Sequence, residues 1–140
     1  MLLVENIENI KDRGAMHYVA TAVGRVNALK YLIKDMKLYV DFRDNTGETP
    51  LSWASIDGCL AAMDYLLTIG ANPEIPDYSN SSPLHHAAIP TDVGIKPLLL
   101  SEGINVDFTN ELGSSLQYDV SSGKHGTAQV LLDHGANVRF

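Results

Sequence analysis

The sequence predicts an all-α solenoid of about four helix-turn-helix repeats with β-turns at their tips. Three observations carry that prediction. First, a phrase recurs: Asp44 to Leu51 reads DNTGETPL and Asp77 to His85 reads DYSNSSPLH. Second, the spacing is regular, with Leu51 to Leu84 spanning 33 residues and Leu84 to Leu116 spanning 32. Third, each copy is followed by a pair of leucines and then a Gly-Ala or Gly-Ile step. Self-similarity at this period marks helical repeat architectures, in which a unit buries its apolar face only by stacking on a neighbour.

Repeat two, residues 44–76, shows how each element arises. Asp44 opens a turn and Gly47 supplies a residue that tolerates positive φ. Thr49 can cap free N–H groups, and Pro50 suits the first helical position. Leu51, Ala54 and Ser55 share one helical face, and the small residues admit a neighbouring helix. Gly58 stops that helix. A second helix runs from about Leu60 to Ile69 with Met63, Leu66 and Leu67 inward, and Gly70 is its C-cap. Neither helix is long enough to be stable alone.

Repeat three, residues 77–109, keeps this frame. Asn80 replaces Gly47, Ser82-Pro83-Leu84-His85 starts the first helix, Ala87-Ala88 is the small pair, and Leu98-Leu99-Leu100 precedes Gly103. Thr91 stands where a glycine separates the helices elsewhere, and Pro90, Gly94 and Pro97 crowd the same stretch. A proline beyond the first helical turn costs about 3 kcal/mol, so the second helix should start late or be short. Repeat four, residues 110–140, has a turn one residue shorter at Gly113–Leu116 and lacks the proline. Asp119 and Val120 replace the small pair, and a buried Asp119 needs solvent or a partner. These two repeats should be the least stable. Repeat one, residues 14–43, is looser. Met16-His17 starts it, a residue is inserted near Val19, and Met36 occupies the capping place of a glycine. Residues 1–13 are expected to form a partial helix that covers it.

The composition sets outer bounds. The chain has 140 residues, enough for one domain, and is 45% hydrophobic and 19% charged, an ordinary globular balance. A net charge of −7 with scattered basic residues argues against nucleic acid or anionic membrane as partner. No run approaches a membrane span, and the start lacks the basic end of a signal peptide. The single cysteine, Cys59, excludes an internal disulfide and suits a cytoplasmic or nuclear protein.

The residues just quoted resemble the ankyrin repeat over about residues 14–140, with TPL, SPLHHAA and LLDHGANV in register. The phrases GAMHYVA, KYLIKDMKLYVDFRDNTGETPL, SPLHHAA and LLDHGANV are most similar to the ankyrin part of plant proteins that join such an array to a tetratricopeptide segment. The resemblance implies a non-enzymatic module that binds another protein through a concave face built from turn tips and first helices. On that register the face comprises Arg43, Asn45, Thr46, Glu48, Trp53 and Ile56 in repeat two. Repeat three adds Tyr78, Ser79, His86 and Ile89, and repeat four Glu111, Leu112 and Tyr118. Two other roles are open: a truncated regulator competing with longer relatives, suggested by the stop at Phe140, and self-association through the last repeat.

Catalytic chemistry finds little support. No phosphate-loop, nucleophile-elbow or zinc-protease string occurs. The five histidines show no i, i+4 pair, so no metal ligands are read from them, and no cofactor is expected. His17 and His85 occupy the place where the family's histidine bonds a neighbouring turn. His125 and His134 should face solvent near helix ends, where a cation favours the dipole. The recurring Asp41, Asp44, Asp77 and Asp107 fit side-chain bonds to backbone N–H groups better than acid–base work. Cys59 is either a thiol activated near a helix start or a buried, inert one. Trp53 is either inter-repeat packing or part of the face.

Overall fold

The structure, a computed structural model, describes residues 26–87 and 94–139. The expectations for residues 1–13, for Met16, His17 and Val19, and for Ala88, Ile89, Pro90 and Thr91 lie outside the described residues. Among the described residues, seven helices and one short hairpin follow in order. They are α1 (Val26–Lys34), α2 (Pro50–Asp57), α3 (Leu60–Thr68), α4 (Pro83–His86), α5 (Ile95–Leu100), β1 (Thr109–Asn110), β2 (Gly113–Ser114), α6 (Ser115–Ser121) and α7 (His125–Asp133). The first helices α2, α4 and α6 stack in one layer, and α1, α3, α5 and α7 stack in a second. The predicted all-α solenoid is what forms.

Periodicity in sequence becomes periodicity in burial. Leu51, Leu84 and Leu116 are at most 2% exposed, and Leu66, Leu99 and Leu131 are fully buried. They belong to one continuous core that also takes in Leu29, Met63 and Ile95. Burying a leucine side chain contributes about 1.5–3 kcal/mol, and here most of that comes from a neighbouring repeat rather than the residue's own helix.

Local chemistry sets the helix ends. Thr49 Oγ1 accepts from Ser52 N at 3.1 Å, with Pro50 at the first helical position. Ser82 and Ser114 cap α4 and α6, and Gln117 completes the second cap by accepting from Ser114 N at 2.8 Å. α2 stops at Gly58, whose φ of 74° is left-handed. Asn80 has a φ of 62°, so it does replace Gly47 as the residue of positive φ. α5 begins only at Ile95, which keeps Pro97 in the first turn, where its missing N–H has no intrahelical partner to lose.

Two sequence expectations need correction. The residue in the capping place after α1 is Lys37, with a φ of 55°, not Met36. The turn of repeat four is more than a shortened β-turn. Thr109 pairs with Ser114 and Asn110 with Gly113, so deletion of one residue draws the flanks into an antiparallel hairpin around Glu111 and Leu112. Gly113 suits the hairpin because its φ of 105° is a backbone conformation that side-chain-bearing residues rarely adopt.

The recurrent acids are structural. Asp41, Glu74 and Asp107 each reach into the next repeat and accept from the backbone N–H of Asn72, Asn105 and Asn137, at 2.8–3.0 Å. Asp44 Oδ1 accepts from Thr46 N and Glu48 N, and Asp77 Oδ1 from Ser79 N and Ser81 N, all at 2.9 Å. These bonds order the loops and tie each repeat to its neighbour.

Candidate functional site

The turns line up side by side. Tyr78 N donates to Thr46 O at 3.0 Å, and Asn110 Nδ2 donates to Ser81 Oγ at 2.8 Å. Arg43 Nη2 donates to Pro76 O at 2.6 Å while its guanidinium lies 4.7 Å from the Tyr78 ring centroid. That contact holds an aromatic ring in place with 67% of its surface still open. At the next tip Leu112 is 73% exposed, set outward by the two-residue hairpin loop. Arg43, Asn45, Thr46, Ser79 and Glu111 are exposed on the same turns, while Trp53, Ile56, His86 and Tyr118 are half-buried on or beside the first helices.

Glu48 differs from the expectation of an open contact residue. It is 5% exposed, because its carboxylate turns toward the following repeat. His86 Nε2 lies 3.1 Å from Glu48 Oε1 and 3.1 Å from Asp77 Oδ2. Burial alone would lower the His86 imidazole, but hydrogen bonds and attraction to Glu48 and Asp77 outweigh it and hold the ring above the usual histidine range. Burial pushes the Glu48 carboxyl up against the pull of His86. Asp77 is held low despite burial, by hydrogen bonds from Glu48, Ser81 and Ser79 and by the charge of His86. The equivalent pair one repeat earlier is Asp44 with Trp53, whose Nε1 donates to Asp44 Oδ2 at 2.7 Å. So the Trp53 indole is anchored to a turn as well as packed.

The remaining candidates are settled by their surroundings. His85 sits on α4 and bonds Gly113 O of repeat four through Nε2 at 3.0 Å, while Nδ1 faces Ser82 N and Oγ. Burial lowers its imidazole. Cys59 is buried, and burial with the nearby Asp57 charge raises its thiol, which favours the inert reading. His134 caps the C-terminal end of α7 as expected, its Nδ1 2.8 Å from Val130 O. His125 is exposed but starts α7, the end where a cation is unfavourable.

Sequence reasoning missed one polar centre. Lys96 on α5 is 1% exposed, and Nζ donates to Asp119 Oδ2 on α6 at 2.5 Å and to Ser115 Oγ at 3.0 Å. Asp119 therefore has a partner rather than solvent. Lys96 falls at the place of Met63 in repeat two, and Asp119 at the place of Ala54. Each residue is an error alone, and together they neutralise each other.

The family model for ankyrin repeats, in three copies, matches residues 1–77. The chain belongs to the ankyrin-repeat family. Among relatives of this ankyrin array, the human protein "Transient receptor potential cation channel subfamily A member 1" is 29% identical over 128 residues, 89% of this chain and 11% of that protein. A "Putative ankyrin repeat protein" of Rickettsia bellii is 31% identical over 120 residues, 79% of this chain and 34% of that one. The "Ankyrin repeat domain-containing protein 53" of Mus musculus is 35% identical over 85 residues, 56% of this chain and 17% of its length. The chain thus spans only about a third or less of these relatives. Ankyrin repeats are generally protein–protein interaction modules and typically non-catalytic. Among the described residues, no helix is long and apolar enough to cross a membrane.

Proposed function

We propose that this ankyrin array binds a partner protein, without catalysis, through the face formed by its turn tips and first helices. The observation that supports it most is the exposure of Tyr78 and Leu112 at successive tips. Large apolar side chains need a reason to stay exposed side by side, and aromatic anchors of this kind dominate binding energies. Trp53 and Tyr118 extend the apolar strip along the first helices, while Arg43, Asn45, Thr46, Ser79 and Glu111 supply a polar rim. A cytoplasmic or nuclear setting suits a chain with one buried thiol. The phrases shared with plant ankyrin–tetratricopeptide proteins are the ground for proposing that kinship as well.

The test is affinity capture from the native source with the wild-type chain and with Tyr78→Ala/Leu112→Ala. Both residues are exposed, so the variant should keep its fold and lose the partner. Adding Trp53→Ala should remove residual capture. If every captured protein survives both variants, the tips are not the recognition surface.

A further inference from the structure

Glu48, Asp77 and His86 come from two different repeats and converge on one point. Their donor atoms all lie within 4.8 Å of one another, and His86 Nε2 is 3.1 Å from each carboxylate. A zinc-class ion with bonds of about 2.0–2.1 Å to nitrogen and oxygen has ligand–ligand edges of about 3.3 Å in a tetrahedral site. The two separations from His86 Nε2 are close to that edge before any ion enters.

The arrangement is also preset. Asp77 Oδ1 is occupied by Ser79 N and Ser81 N, which fixes the carboxylate and turns Oδ2 toward the imidazole. Glu48 and His86 are nearly enclosed, with 7% and 14% of their side-chain surface open, so little rearrangement entropy stands against binding. With both carboxyl groups ionised, the cluster stays net negative even when the imidazole is protonated. A divalent cation with a neutral imidazole balances it.

The solenoid provides its own comparison. At the following junction the equivalent residues are Ser81, Asn110 and Tyr118, and the first two close the turns with a neutral bond of 2.8 Å. At the preceding one Asp44 meets Trp53. The fold therefore builds this junction without an acid pair and an imidazole, and stacking alone does not explain why repeats two and three carry them.

We propose that Glu48, Asp77 and His86 form a binding site for a divalent transition-metal ion of the zinc class. One imidazole with two carboxylates favours such an ion over magnesium or calcium. Three protein donors leave a fourth position for water or for a donor from a bound partner.

The experiment is Zn²⁺ titration of the purified full chain by calorimetry, with thermal midpoints alongside. Wild type should show one saturable site per chain and a midpoint that rises with Zn²⁺. Glu48→Gln and His86→Gln, near-isosteric changes checked by circular dichroism, should each weaken binding by more than about tenfold. Loss of even an outer-shell partner has effects on that scale. His125→Gln/His134→Gln should bind as wild type, and millimolar Mg²⁺ should not compete. The proposal is overturned if wild type shows no saturable binding or if both triad variants bind as wild type. It is equally overturned if binding disappears in His125→Gln/His134→Gln, which would mean an adventitious ion on surface histidines.

Discussion

Replacing Asp119 by alanine restores the small residue found at the same place in α2 (Ala54) and just after α4 (Ala87), yet it should be among the most damaging substitutions in the chain. The reason lies in Lys96. Its ammonium is 1% exposed and has two partners, Ser115 Oγ and Asp119 Oδ2, of which only the second carries charge. Burial already lowers the Lys96 amine, against the pull of Asp119. Without Asp119 the chain must either bury an unpaired cation or neutralise it. Neutralising an ordinary lysine at pH 7 costs about 4.6 kcal/mol, from a pKa near 10.4 and about 1.36 kcal/mol per unit. Breaking a buried pair from one side typically costs about 3–5 kcal/mol, so the two routes agree. Lys96→Met should cost a similar amount, because it strands Asp119, whose Oδ1 already accepts no hydrogen bond among the described residues. The double variant Lys96→Met/Asp119→Ala recreates the combination of Met63 and Ala87 at the junction of repeats two and three. It should lie within about 1 kcal/mol of wild type or be more stable. The cycle is measured by urea unfolding followed by circular dichroism, giving a coupling of several kcal/mol. Additive losses, or an Asp119→Ala cost below about 1 kcal/mol, would refute the reasoning.

Three further outcomes are expected. Gly47→Ala places a Cβ 2.7 Å from Tyr78 N at a φ of 85°, and neither the backbone nor the Arg43-clamped ring can yield freely. It should lose more than about 1 kcal/mol in the same unfolding assay. Lys37→Gly relieves a left-handed lysine and should gain up to about 1 kcal/mol, read as a higher urea midpoint at unchanged slope. His85 titrates below its unfolded value because it is buried and neutral. The unfolded chain therefore binds the proton first. The His85 contribution is complete above about pH 6.5 and is lost as pH falls through the depressed folded value. The stability difference between wild type and His85→Gln should shrink over that acidic window, and a difference that grows there would contradict the assignment.

Much of this fold can be read directly from the chain. The period locates both helical layers, and Thr49-Pro50, Ser82-Pro83 and Ser114 announce helix starts through local bonding alone. The place of Asn80 follows from the turn it must close. What the sequence does not display is whatever depends on two repeats meeting. Glu48 looks like one more turn-tip residue until repeat three stands beside it. Lys96 looks like an ordinary helical lysine, and Asp119 like a lone misplacement, until α5 and α6 pack. Histidine spacing along one helix carries no trace of a cluster whose other two members sit in turns. The hairpin at Glu111–Leu112 is hidden for another reason: deletion of one residue shows only that the turn is tighter, not that its flanks pair.

The two departures from the repeat frame therefore act on different links between structure and function. Glu48, Asp77 and His86 lie beside the tips with a small part of their surface open, and removing them leaves the leucine core intact. Lys96 and Asp119 are sealed from solvent, so nothing outside the protein can read them. Their effect is on which neighbour a repeat accepts. Repeats two and three offer Met63 and Ala87 at these places, and apolar surfaces of that kind tolerate displacement along the stack. A charged α5 does not, since any register that separates Lys96 from Asp119 leaves a buried ammonium without its counter-charge. The penalty for such a slip is the same few kcal/mol that Asp119→Ala measures. A pair that adds little net stability thus fixes repeat four against repeat three, and with it the position of Leu112 and Tyr118 relative to Tyr78.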